Sequence, residues 1–270
     1  MPARTHGRLA VLPLVLLVGM TWLSILLSHR APGRYRIELA WASPSAAHPL
    51  GCGDGGLDIA TYVTFAIGYV TLLALSVATI SAVIGTLLGS STALAGLNSQ
   101  RIVLRVCDLV QAFPNFLLAL AVLSAVQKPK RWHIALVLLF TSWAGFARLA
   151  GVISRKLAAA DFVLAARSYG SSSWSILFRH AVPHVLGPIL VQMGTAAAGV
   201  VLSESALAFV GLGPADGVSL GSLIEQGAAS MMNAPHVLIV AVLAIAVTSG
   251  SFQLAAEGIR RWVQLDRTSP

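Results

Sequence analysis

Nineteen consecutive residues, Leu9 to Leu27, carry no ionisable side chain. As a helix rising 1.5 Å per residue this run covers roughly 28 Å, the thickness of the hydrocarbon core of a bilayer. Similar runs recur along the chain, and they constrain the fold more than any single motif. A soluble domain carries charged residues at about 25%. Here only 10% of 270 residues are charged and 56% are hydrophobic, so lipid must solvate much of the chain. Disorder, collagen and a disulfide scaffold are excluded on the same ground. A signal peptide would share the basic start, Arg4 and Arg8, but its apolar core is shorter and a small-x-small site follows it. Ser28-His29-Arg30 follows instead, so the run reads as a retained anchor.

The next apolar stretch, Ile59 to Leu97, is too long for one upright helix and predicts an interfacial lead-in before a span near Val70 to Leu94. Its Gly85-x-x-x-Gly89 permits close helix approach. Further spans are expected at Val106 to Val126, His133 to Ile153, Val185 to Leu207 and Val237 to Leu254. Six spans put both ends on one side. On that parity twelve of the 18 basic residues share a face with the termini, Arg101, Arg105, Arg148, Arg155, Lys156, Arg167 and Arg179 among them. Six lie opposite, including the Lys128-Pro-Lys-Arg131 cluster. The excess favours cytoplasmic termini. The net charge of +8 is therefore a topology signal and not a nucleic-acid footprint.

The connection from Ser154 to His184 is about thirty residues long, moderately polar and on the basic face. Leu157 to Tyr169, with Ala158, Ala159, Ala160, Ala165 and Ala166, predicts a helix. Gly170 stops it, Ser171 to Ser173 offer an N-cap for a second short helix, and Pro183 marks the return to the membrane. Such a helix-corner-helix knob suits docking on a partner protein. It equally suits an interfacial helix pair lying on headgroups.

The segment Asp161-Phe-Val-Leu-Ala-Ala-Arg-Ser-Tyr-Gly170, continuing to Pro183, resembles the cytoplasmic signature of the inner-membrane permease subunits of ATP-binding-cassette importers. The likeness is to the dipeptide, oligopeptide and nickel branch, in its second-permease type. Ala165, Ala166, Gly170 and Pro183 match in register, while Leu164 stands at the signature's glutamate and Val182 at its leucine. Other segments match in order. They are His48-Pro-Leu-Gly51 with Gly56-Leu-Asp58, Arg105-Val-Cys-Asp108 through Phe113-Pro114, and Trp143 to Arg148. Ser205 to Gly213 with Ser219-Leu-Gly221, and Glu257 to Arg260, complete the series.

The resemblance implies an all-α integral membrane protein, a type I importer permease of about six transmembrane helices with a cytoplasmic coupling-helix loop. It divides the chain into residues 1–58 (tail, first span and extracytoplasmic segment), 59–257 (the transmembrane domain, with the coupling loop at about 154–184) and 258–270 (a cytoplasmic tail). It implies a permease subunit forming half of a peptide-import pathway in the bacterial plasma membrane. The expected partners are a homologous second permease, two cytoplasmic ATPase subunits and an extracytoplasmic substrate-binding protein. A nickel or metal-chelate importer is the near alternative, and an ion-coupled secondary transporter the remote one. No cofactor is expected in this chain. It contains no Gly-x-x-x-x-Gly-Lys-[Ser/Thr] phosphate loop, so ATP and Mg belong to partner subunits and the permease itself is not an enzyme.

Asp161, Ala165, Ala166, Arg167, Tyr169, Gly170, Ser171, Trp174, Arg179 and Pro183 are the expected coupling residues. Trp174 and Phe178 anchor the knob against the ATPase or the underside of the bundle. Charges within spans are costly and mark candidate sites. Asp108 either pairs with Arg105 or Arg148 or serves transport in the pathway; Glu204, with Ser203 beside it, either faces the translocation pathway, where it attracts a cationic group, or snorkels or bonds between helices. His180 and His184 share a helical spacing, but Ala181 replaces the glutamate a zinc site needs and Pro183 intervenes. No metal site is expected there, and Cys52 and Cys107 lie too far apart to bridge.

Overall fold

The computed structural model describes residues 12–27, 36–215 and 217–268. Arg4, Arg8, Arg30 and Arg34 lie outside them. Ten α-helices follow in order among the described residues: α1 (Leu12–Leu27), α2 (Ile59–Ala95), α3 (Leu97–Ala112), α4 (Asn115–Ser124), α5 (Arg131–Ala158), α6 (Asp161–Ser168), α7 (Ser173–Ile176), α8 (Val182–Leu207), α9 (Leu220–Ala229) and α10 (Pro235–Thr268). Among the described residues four helical stretches are long and apolar enough to cross a membrane: Ile59–Thr92, Arg131–Ala158, Ser173–Leu212 and Pro235–Val263. A fifth results if α3 and α4 count as one span.

The centre of the bundle is the pairing of α2 with α5, and glycine sets its closeness. A Cβ on Gly85 would lie 2.6 Å from the Phe146 Cβ and 2.8 Å from the Ala147 nitrogen. One on Gly89 would sit 2.9 Å from the Gly151 nitrogen. The Gly-x-x-x-Gly spacing thus does what it predicts, letting two backbones touch where a methyl group would separate them. Just beyond, the Ser154 hydroxyl donates to Ser90 Oγ at 2.9 Å, both fully buried. Without hydrophobic drive between helices in lipid, such close packing and internal hydrogen bonds hold the bundle. On its far side α8 meets α10 through Gly194, where a Cβ would come within 2.8 Å of the Ala256 Cβ.

Three expectations change. The stretch from Ile59 contains no separate lead-in: α2 is one 37-residue helix capped at Asp58. Asp58 accepts from the Thr61 amide at 3.1 Å and the Thr61 hydroxyl at 2.5 Å, and its carboxylate stands 3.0 Å from His48 Nδ1. Burial opposes its charge, but these hydrogen bonds prevail and hold the carboxyl below its ordinary range. The expected span Val106 to Val126 is not straight: α3 and α4 meet at 69°. Pro114 lacks an N–H and drives the residue before it out of the helical region, and Phe113 is extended at φ −93°, ψ 135°. Pro183, by contrast, does not end a helix, since Ser173–Leu212 runs as one 40-residue helical stretch. A π-turn, Leu177–Ala181, lies just before Pro183 and shifts the hydrogen-bond register where the proline has no donor to give.

Candidate functional site: the knob between α5 and α8

α5 closes at Ala158, whose successor Ala159 is its C-cap. α6 then ends at Ser168, and Gly170 takes φ +81°, a conformation that favours glycine. The Ser171 amide reaches back to the Ala166 carbonyl at 3.0 Å. This bond from the second residue past the cap to the third from the helix end is the Schellman closure. Ala166 and Gly170 therefore stand in fixed register for a backbone reason. Ser172 restarts the chain, its hydroxyl accepting from the Ser175 amide at 3.2 Å.

Val163, Ile176, Leu177 and Ala181 form a small buried core under this corner, joined by Leu157, Ala158 and Val182. Because α7 runs through the π-turn into α8, the second half of the knob is the end of a membrane helix and not a separate short helix.

The outer surface is apolar where the core cannot reach it. Tyr169 is 90% exposed, Trp174 67% and Phe178 54%. The rings of Trp174 and Phe178 stack at 5.8 Å with planes 10° apart, forming a flat aromatic face. Asp161, Ser171, Arg179 and Pro183 are also exposed, as are Arg155 and Lys156 on the preceding turn. The side chains of Leu164, Ala165 and Arg167 lie outside the described residues. The knob therefore gathers Asp161, Ala166, Tyr169, Gly170, Ser171 and Trp174 at one end of the bundle.

The other singled-out residues fall elsewhere. Asp108 pairs with Arg148 at 2.5 Å on an exposed surface, one of its two expected partners. Ser203 is half-buried and Glu204 is 4% exposed, enclosed within this chain. His184 Nδ1 is 2.9 Å from the His180 carbonyl oxygen. Among the described residues no group of three or more His, Cys, Asp or Glu is placed to hold a metal. A groove of about 720 Å³, which no sequence motif marks, lies between α5, α8 and α10, lined by Leu149, Pro188, Gln192, Thr195 and Arg260. Gln192 and Thr195, one turn apart within the otherwise apolar stretch 185–202 of α8, were its available signal.

The knob, the proline-broken helix and the glycine-packed core all fall inside one family match. Residues 83–264 match the binding-protein-dependent transport system inner membrane component. The chain belongs to that family. Its members are membrane permease components, and the present chain is a multi-pass membrane protein of that kind. It is similar to the glutathione transport system permease protein GsiD of Pectobacterium atrosepticum, 30% identical over 92% of this chain and 82% of that one. The oligopeptide transport system permease protein OppC of Bacillus subtilis is 26% identical over 94% and 84%. A GsiD of Escherichia coli is 34% identical over a shorter stretch, 60% of this chain and 53% of the relative.

Proposed function

We propose that this permease component is one half of the translocation pathway of an ATP-driven importer of short peptides. The observation that carries the reading is the knob: an exposed aromatic face on a glycine-closed corner that continues through a π-turn into α8. Such a face suits burial against a partner. ATP hydrolysis by separate subunits is consistent with a sequence that carries no phosphate loop. In this reading the chain pairs with a homologous permease, two cytoplasmic ATPases and an extracytoplasmic binding protein in a bacterial plasma membrane, both termini cytoplasmic. Asp161, Ala165, Ala166, Arg167, Tyr169, Gly170, Ser171, Trp174, Arg179 and Pro183 form or shape the coupling surface. Closure of the ATPase dimer displaces the knob, α8 follows as a rigid body, and the pathway switches its opening.

The groove between α5, α8 and α10 is assigned as this chain's share of the pathway. Its volume of about 720 Å³ falls in the range that holds small ligands, and Gln192 and Thr195 offer both donors and acceptors to a peptide backbone. Asp108, exposed beside Arg148, and Ser203 stay as pathway candidates. The peptide assignment follows the glutathione and oligopeptide permeases to which the chain is similar.

Reconstitution tests the function. Proteoliposomes holding this chain with its second permease, ATPases and binding protein are expected to accumulate labelled di- to pentapeptides only with ATP. Uptake of nickel or a nickel chelate in place of peptide would transfer the assignment to the metal branch. Uptake driven by an ion gradient without ATP would end it.

A further inference from the structure

At the end of the bundle opposite the knob, a charged residue is buried where a span should be apolar. Glu204, near the end of α8, is 4% exposed. Its Oε2 has no protein partner among the described residues. Ser219 stands beside the carboxylate, and Arg131, the first residue of α5, is close enough for its charge to act on it. Arg131 lies over the Tyr69 ring, 3.6 Å from the centroid. Glu204, Arg131 and Tyr69 share the wall of a cavity of about 20 Å³ with Pro214 and Val218. The cationic group that Glu204 attracts is thus supplied by its own chain.

The cavity is of a size to hold one water, which needs roughly 10–15 Å³ and two or more polar partners. A carboxylate oxygen without a protein partner and a guanidinium supply them. Pro214 and Val218 bring the strap after α8, residues 213–215 and 217–219, against this cavity. The Ala215 amide donates to the Pro129 carbonyl at 2.8 Å, and the Ser219 amide to the Tyr62 hydroxyl at 3.2 Å. A Cβ on Gly217 would overlap the Arg131 guanidinium, so glycine admits the arginine there.

We propose that Glu204 and Arg131 bind a single buried water between them, and that this bridge latches the described strap residues, 213–215 and 217–219, onto α2, α5 and α8. A carboxylate oxygen left without a partner at this depth costs stability, whereas a bridging water restores its hydrogen bond and ties it to Arg131. The latch also accounts for Arg131 within the basic cluster on the unexpected face: this arginine is held by the fold.

The test uses the assembled transporter in lipid nanodiscs, in two measurements. In a density map fine enough to show waters, one peak is expected between Glu204 Oε2 and Arg131; an empty cavity, or a direct contact of the two side chains, overturns the bridge. Val218, on the cavity wall, is replaced in a V218C background to report strap opening to a thiol reagent. Glu204→Leu and Arg131→Gln are each expected to speed its labelling by about tenfold or more, and the double variant no more than either alone, as for one local opening unit. Glu204→Gln, which keeps the shape, gives a smaller acceleration and serves if Glu204→Leu does not assemble. Unchanged labelling in the single variants, or additive effects in the double, would refute the latch.

Discussion

Asp58 stabilises two elements with one carboxylate: it caps α2 through Thr61 and holds His48, so the segment before the first long helix is fastened to that helix. A carboxyl held below its ordinary value adds stability above the unfolded-chain pKa of about 4, and that contribution is lost as the pH falls through the lower native value. The assembled transporter should therefore lose thermal stability below about pH 4 more steeply than its Asp58→Asn variant, which keeps the cap but not the charge. Parallel pH profiles of the melting midpoint would assign the acid sensitivity to other carboxylates. Glu204 was half legible at this scale. Its place near the end of a span marked it as special, but whether it faced a pathway or a neighbouring helix depended on Arg131, 73 positions earlier, which only the folded chain brings near.

At the scale of elements, contact between α2 and α5 depends on two glycines, so Gly89→Val should destabilise the assembled transporter by about 1–3 kcal/mol. A lowered melting midpoint with the complex still inserted checks this, and an unchanged midpoint would show that α5 yields easily. The knob offers the opposite case. Tyr169, 90% exposed, packs little within the chain, so Tyr169→Ala should leave folding within about 0.5 kcal/mol. The same change should cut substrate-stimulated ATP hydrolysis severalfold. Gly170→Pro forces φ to about −65° where the corner needs +81° and should abolish stimulation. Normal stimulation in both variants would remove the coupling assignment.

The Schellman closure was visible as Ala-Ala followed four residues later by Gly170, because a cap is local. The three prolines at 114, 183 and 188 were not separable. Pro114 breaks a helix, Pro183 follows a π-turn, and Pro188 lies inside α8. The difference lies in what surrounds each one and not in the residue, so a proline bounding a span and a proline within one read alike.

Across the whole molecule, low charge content foretold a helical membrane bundle, and the uneven spread of arginine and lysine pointed to its orientation. The groove between α5, α8 and α10 was not foreseen, because three distant segments must assemble before it exists. The knob and the Glu204 latch sit at opposite ends of α8, one exposed and aromatic, the other enclosed and polar. A helix gripped at one end and free to be pushed at the other transmits a displacement as a tilt. In the proposed mechanism the push comes from an ATPase subunit. A photoreactive residue placed at Trp174 in the assembled importer, activated in membrane vesicles, measures it most directly. The expected product is a covalent adduct with the ATPase subunit whose yield changes between nucleotide-free and ATP-bound states; adducts to lipid alone would contradict the account.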